Sequence, residues 1–443
     1  MNSLLTIPVE LAHHALSYCP AWDIVSFART SRLAHAIALE STNQSFWRDV
    51  FLTSHFDDPC DAWRLPEGTN SALDGYDWLG ELRARLSAEL LAARPDRIDD
   101  PAAYEGMLAA LARAARDIPP LREGQPESRN VEWLEHLLKY PGLLNDDVSR
   151  LSIEGQRLHG LLHVFTGHKF DESTAANSLR YRRNASRAYT YDMRKYSRAN
   201  TWSPLLLTGE VDWLHLDHLA NVIIGNIRDV PFLVDDQLPP FGLEHTRPYS
   251  APGQYPARDW AGVEGTWRRY VCFMDYRDLA VFNAPLHAEG ARDLSFFDRP
   301  AFREAVRLLS VDLQVIDREA IEAPLPEFIG VYDDPPADFP YPPIFFSGVS
   351  ETADGGHLHL EGCVMMGIDG SVRWYFAETF QQVSSIGGQF SSRGVQVGGV
   401  GSATGVVGIW TTTTHEVGDP AGPYWQWKVP SDDPTYAPLL DCV

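Results

Sequence analysis

The chain has 443 residues, 44% hydrophobic and 22% charged, a composition that excludes a disordered polymer. Lys plus Arg number 37 against 60 Asp plus Glu, a net charge of -23, which argues against a broad phosphate-tracking surface and so against nucleic acid as a partner. No apolar run approaches the roughly 18–20 residues of a membrane span, and at roughly 100–200 residues per domain the length allows two to four domains.

The opening residues, Met1 to Pro8, have neither a basic segment nor a long apolar one, so a secretory leader is not expected. Pro8 suits a first helical turn, where its missing N–H costs nothing, and Leu11, Ala12, Ala15, Leu16 and Cys19 then form one apolar stripe. Pro20 ends that helix, because proline disfavours helical geometry in the residue before it. Ile24, Phe27 and Ala28 make a second short stripe, Leu33 and Ile37 a third, and Phe46, Trp47, Val50 and Phe51 a fourth. Three or four short helices bury little surface, and the apolar leading edge of Leu4, Leu5, Ile7 and Pro8 predicts burial against a partner.

A break rich in Asp, Pro and Gly follows from Asp57 to Gly75. Leu82 to Ala93 and Ala102 to Asp117 are rich in strong helix formers, and Trp133 to Lys139 and Leu151 to Phe165 repeat apolar residues at helical spacing. Residues 70–230 therefore read as a helical linker domain. Pro239-Pro240 through Pro256 marks the clearest boundary, and beyond it the apolar period becomes two. Leu309, Val311, Leu313 and Val315 alternate with polar residues; so do Val372, Trp374 and Phe376, and so do Trp425, Trp427 and Val429. Asp369-Gly370 is a hairpin turn signal. The fold class expected is α+β: N-terminal helices over 1–55, the helical linker, and an antiparallel β-barrel or sandwich over 258–430. The five cysteines are scattered and never paired as CxxC, which points to a reducing compartment rather than a disulfide framework or a zinc site.

Several groups invite a chemical reading. Gly398 to Gly405 is rich in glycine, but Val406 to Thr411 follows as strand where a phosphate-binding loop needs a helix, so the run reads as a turn or barrel corner. His357, His359 and Glu361 fall on one strand face and resemble the start of a metal set, but no further ligand is identifiable and a solvated face is expected. His13-His14 reads as the polar face of the first helix, and His415-Glu416 has no serine or cysteine placed to complete a triad. No catalytic residue, metal site or cofactor is assigned. Trp267 and Trp374 read first as barrel filling and second as ligand contacts. In the loop from Gln382 to Arg393, Val383 and Ile386 lie among Ser, Gly and Gln, and Arg393 is placed to hold an acidic partner by a bidentate contact, a candidate substrate-binding loop.

The first fifty residues resemble the F-box. The family pattern Leu-Pro-x-Glu-Leu appears as Ile7-Pro8-Val9-Glu10-Leu11, and is followed by Ala15-Leu16, Asp23-Ile24, Thr30-Ser31-Arg32 and Trp47-Arg48-Asp49-Val50-Phe51. Cys19 stands where the family usually has Leu. Tyr191 to Tyr196, Asn200-Thr201-Trp202, Gly265 to Arg269, Phe273 to Leu279, and Gly394 to Gly399 leading to Trp410 are similar to the C-terminal region of fungal F-box proteins. The resemblance implies a three-helix F-box that docks on the Skp adaptor of a cullin–RING ubiquitin ligase, with Leu5, Ile7, Pro8, Leu11, Leu16, Ile24, Phe27 and Trp47 facing the adaptor or supporting that face. It further implies a non-catalytic receptor that presents an unidentified protein substrate on its C-terminal domain, in the cytoplasm and/or nucleus. The alternatives are a β-barrel ligand-binding or metal-dependent protein, and an F-box protein acting outside ubiquitination.

Overall fold

Prolines open the first two helices from just outside them. In the structure, a computed structural model, Pro8 and Pro20 both hold extended geometry as N-caps, and the Pro8 carbonyl accepts from the Leu11 and Ala12 amides at 3.1 Å. The residues described are 7–39, 43–54, 56–62, 75–94, 96–121, 127–140, 143–144, 148–167, 176–229, 238–284, 290–321, 341–351, 356–380, 390–416 and 418–433. They fall into two compact units: 1–119 with 123–155, and 120–122 with 156–443. Among them no helix is long and apolar enough to cross a membrane.

The first unit is helical. Helices α1 (Val9–Leu16), α2 (Ala21–Ala28), α3 (Arg32–Leu39) and α4 (Gln44–Thr53) carry the four apolar stripes. Ala12, Leu16, Ile24, Ala28, Ala34, Ala38, Phe46 and Val50 form their small core. Side chains tie the helices together: His13 bonds the Ile37 carbonyl at 2.9 Å and stacks on Phe46, and Thr53 donates to the Ser17 carbonyl at 2.6 Å. His13 is thus structural.

Helices α5 (Trp78–Ala92), α6 (Pro101–Arg116) and α7 (Arg129–Leu138) complete the unit. Each begins at a residue whose side chain accepts a backbone N–H, Asp77, Asp100 and Ser128, as N-capping chemistry requires. Arg85 of α5 is fully buried, bonded to Glu81 at 3.0 Å and Asn130 at 2.7 Å, with its guanidinium over the rings of Phe51, Phe56 and Trp133. One cation therefore joins α4, α5 and α7.

In the second unit, helices α8 (Ile153–Thr166), whose first turn contains the division between units, α9 (Ala176–Thr190) and α10 (Trp213–Arg228) precede a closed antiparallel barrel. Its strands are β1 (Gly265–Met274), β2 (Glu304–Ile316), β3 (Ile344–Glu351), β4 (His357–Met366), β5 (Val372–Phe380), β6 (Phe390–Gln396), β7 (Val406–Thr412) and β8 (Ala421–Lys428). Each pairs with the next and β8 pairs with β1, so no edge is left exposed. The expected β-barrel or sandwich is a barrel. A helix not anticipated from the sequence, α11 (Tyr276–Asn283), sits between β1 and β2, capped by Asp275.

The barrel is filled. Trp267 and Trp374 meet edge to face at 5.1 Å, and Phe346, Phe376 and Tyr424 pack around them. Gly394 makes room for this crowding: a Cβ there would lie 2.3 Å from the Tyr424 hydroxyl. Register sets Lys428 opposite Trp267 and Gln426 opposite Arg269, so Tyr424, Gln426 and Lys428 share the interior face. Trp425 and Trp427 point outward. There Trp425 donates to the Thr404 carbonyl at 2.7 Å, Trp427 stacks on Tyr270, and α10 packs along β7, β8, β1 and β2. The period-two pattern of β8 thus marks a strand buried on both faces, although alternation with polar residues ordinarily marks a half-buried strand. Gly398 to Gly405 turns the chain from β6 to β7.

Candidate functional site

Two features stand out, one in each unit. In the first, Ile7, Val9, Leu11, Tyr18, Trp22, Val25 and Leu33 are exposed, seven of the fifteen large hydrophobic side chains exposed among the described residues, all within the span 7–33. Leu11 is 57% exposed and Trp22 51%. Folding leaves them in water because α1–α3 are two turns each and bury only one narrow stripe apiece.

The residues expected to form or support an adaptor face divide accordingly. Ile7, Pro8 and Leu11 are exposed, Phe27 is half-buried, and Leu16, Ile24 and Trp47 are buried behind them. Leu5 lies outside the described residues. Sequence reasoning missed Trp22, Val25 and Leu33 as surface candidates. The available signal was that Trp22 and Val25 are apolar yet fall off the Ile24–Ala28 stripe.

In the second unit, a cleft of about 240 Å³ is lined by apolar Met193, Leu279, Ile409 and Ala421 and by Trp202, Asn283, His415, Glu416 and Asp419. Asn283 is committed internally, accepting from the Met193 amide and donating to the Tyr191 and Leu279 carbonyls. Three of the four non-glycine residues with positive φ among the described residues, Thr201, Trp202 and His415, gather here. Such geometry costs energy and persists only where neighbours enforce it. The neighbours are visible: Trp202 and His415 stack at 4.0 Å with an interplanar angle of 7°, and Arg393 lies over Trp202. Arg393 Nη1 donates to the Thr201 carbonyl and Nη2 to His415 Nε2 at 3.2 Å. Asp419 holds the β7–β8 turn by accepting from the Thr412 and Thr414 hydroxyls and the Glu416 amide.

The guanidinium of Arg393 is therefore spent within the fold and is not free for a bidentate contact with an acidic partner. Burial lowers its pKa to about 10. Trp267 and Trp374 are barrel interior, away from the cleft. Val383 and Ile386 lie outside the described residues. His357 pairs with Glu351 at 3.6 Å across β3 and β4, and His359 with Glu361 at 3.3 Å along β4. Among the described residues no group of three His, Cys, Asp or Glu side chains is placed to hold a metal ion. The cleft itself was not legible as a site. Met193, Trp202, Leu279 and Ile409 all lie in stretches singled out from the sequence, but only the fold brings them together.

Burial, then the charge of Arg393, holds the His415 pKa down at about 4 against an ordinary 6.5. Fully buried His215 is lowered to about 3, by burial first. The unfolded chain takes up these protons near 6.5 while the folded chain refuses them, so stability is retained above that pH and falls as pH drops toward about 4. A urea-midpoint series over this range should show the fall. His415→Asn should flatten it by on the order of 2 kcal/mol; an unchanged slope would mean that His415 titrates normally in the folded state.

Comparison with known family models, curated proteins and solved structures finds no match.

Proposed function

We propose that this chain is a substrate-recognition subunit of a Skp–cullin–F-box ubiquitin ligase. The first unit docks on a Skp adaptor, and the second unit holds the protein to be modified. The observation that carries the reading is the density of exposed apolar side chains on α1–α3, where the F-box-like motif lies. A patch of this kind, at about 25 cal/mol per Å² of apolar surface, gains most by being covered. No catalytic group is required of the chain, because ligation is promoted by holding the substrate near a separate enzyme.

Co-expression with a Skp adaptor should raise the soluble yield and give a 1:1 complex. Leu11→Asp and Trp22→Asp change exposed residues, so each should leave the helical content intact and weaken adaptor binding about 30-fold or more, as central interface anchors do. Failure of the wild-type chain to co-purify, or undiminished binding by the double variant, rejects the reading.

A further inference from the structure

We propose that the cleft of the second unit holds an apolar side chain of a substrate peptide whose adjacent residue is lysine or arginine. This rests on the reading that the second unit recognises a protein, and it names the place and the chemistry. The lining supplies an apolar base in Met193, Leu279, Ile409 and Ala421. At about 240 Å³ the space is smaller than the roughly 300–1,000 Å³ of small-molecule sites, which favours a single inserted side chain.

Charge selects the neighbour. Among the described residues the lining carries two carboxylates, Glu416 and Asp419, and no lysine or arginine. Arginines close by in sequence are already engaged: Arg194 and Arg292 both with Asp192, Arg277 with Asp275, and Arg393 as described above. A peptide cation beside the inserted side chain meets Glu416, which is exposed, without competition from these groups.

The tautomer of His415, a wall residue, is fixed by its neighbour. Arginine can only donate, so His415 Nε2 accepts from Arg393 and the proton of the neutral ring resides on Nδ1. That Nδ1 is buried and makes no hydrogen bond. The wall formed by Trp202 and His415 is held in place before any ligand arrives, which lowers the ordering cost of binding.

The test is fluorescence anisotropy of the purified full chain with fluorescein-labelled peptides. Each has a glycine–serine background and differs only in a central pair: phenylalanine–arginine, serine–arginine or phenylalanine–glutamate. The phenylalanine–arginine probe should bind best. Replacing phenylalanine by serine should cost about tenfold or more, the effect of one buried aromatic side chain, and replacing arginine by glutamate about fivefold.

Ala280→Trp places bulk in the cleft from an exposed position of α11 and should abolish the phenylalanine preference. Glu416→Lys, on the exposed turn, should invert the arginine–glutamate preference and keeps the test decisive if the tryptophan variant fails to fold. Equal binding of the three probes, no binding, or preferences unaltered in folded variants overturns the inference. Adaptor capture is scored on the same preparations. Intact capture without peptide preference rejects this inference alone; lost capture with the preference intact rejects the adaptor reading alone.

Discussion

Glu378→Ala is expected to destabilise the second unit by about 3–5 kcal/mol, the usual cost of leaving a buried charge without its partner. The Glu378 carboxylate accepts from Arg269 Nη1 at 2.6 Å inside the barrel, and both side chains are nearly excluded from solvent. Arg269 also donates to the Ser392 hydroxyl at 2.8 Å and lies between the rings of Phe376 and Tyr424. Without Glu378 the buried guanidinium is left with only the Ser392 hydroxyl and two ring faces as partners. The double variant Arg269→Met, Glu378→Leu removes both charges at similar volume and should recover most of the loss. Urea unfolding followed by tryptophan fluorescence distinguishes the two, because Trp267 and Trp374 sit in the same interior. Equal stability of the single and double variants would show that the pair carries no such penalty.

Arg85→Ala should loosen the first unit by about 3 kcal/mol or more, through loss of a buried hydrogen-bonded cation and its aromatic contacts. Glu81 retains Arg113 at 2.8 Å, so the carboxylate is not orphaned; Asn130 Oδ1 keeps only the Asp57 amide at 3.2 Å, and the faces of Phe51, Phe56 and Trp133 lose the cation. Hydrogen–deuterium exchange on the full chain should show lost protection in α4, α5 and α7 and none in the barrel strands. Arg85→Lys should restore little, since an ammonium lacks the planar fork that reaches Glu81 and Asn130 while lying on aromatic rings. Unchanged protection in α4 would mean that the aromatic cluster holds without the cation.

Where one face of an element meets water, local pattern was enough to read it. The stripes of α2 and α4, the alternation of β2 and the Asp369-Gly370 turn, where Gly370 takes φ +76°, follow from residue spacing and backbone sterics, whereas α3 buries Ala34 and Ala38 and leaves the expected Leu33 in water. Spacing alone misplaced two residues of the first helix: Pro8 caps it from outside rather than entering its first turn, and Leu11, read as part of the apolar stripe, is exposed. The sequence determined those two stripes, that alternation and that turn because amphipathicity and turn chemistry act over a few residues.

Tertiary structure alone decided the rest, because it depends on what covers each face. Strand β8 is buried on both sides, so its tryptophans point out beneath α10 and its Gln426 and Lys428 point in, against the rule that polar residues mark the wet face. The same closure hides Arg269 and Glu378, separated by 109 positions, as an interior pair. Arg393 reads as a free cation along the chain but is consumed by a carbonyl 192 positions away. The cleft joins residues from 193–202, 279–284 and 409–421, and no local period encodes that meeting. Short-range physics chose the elements; barrel closure, which is long-range, chose their partners.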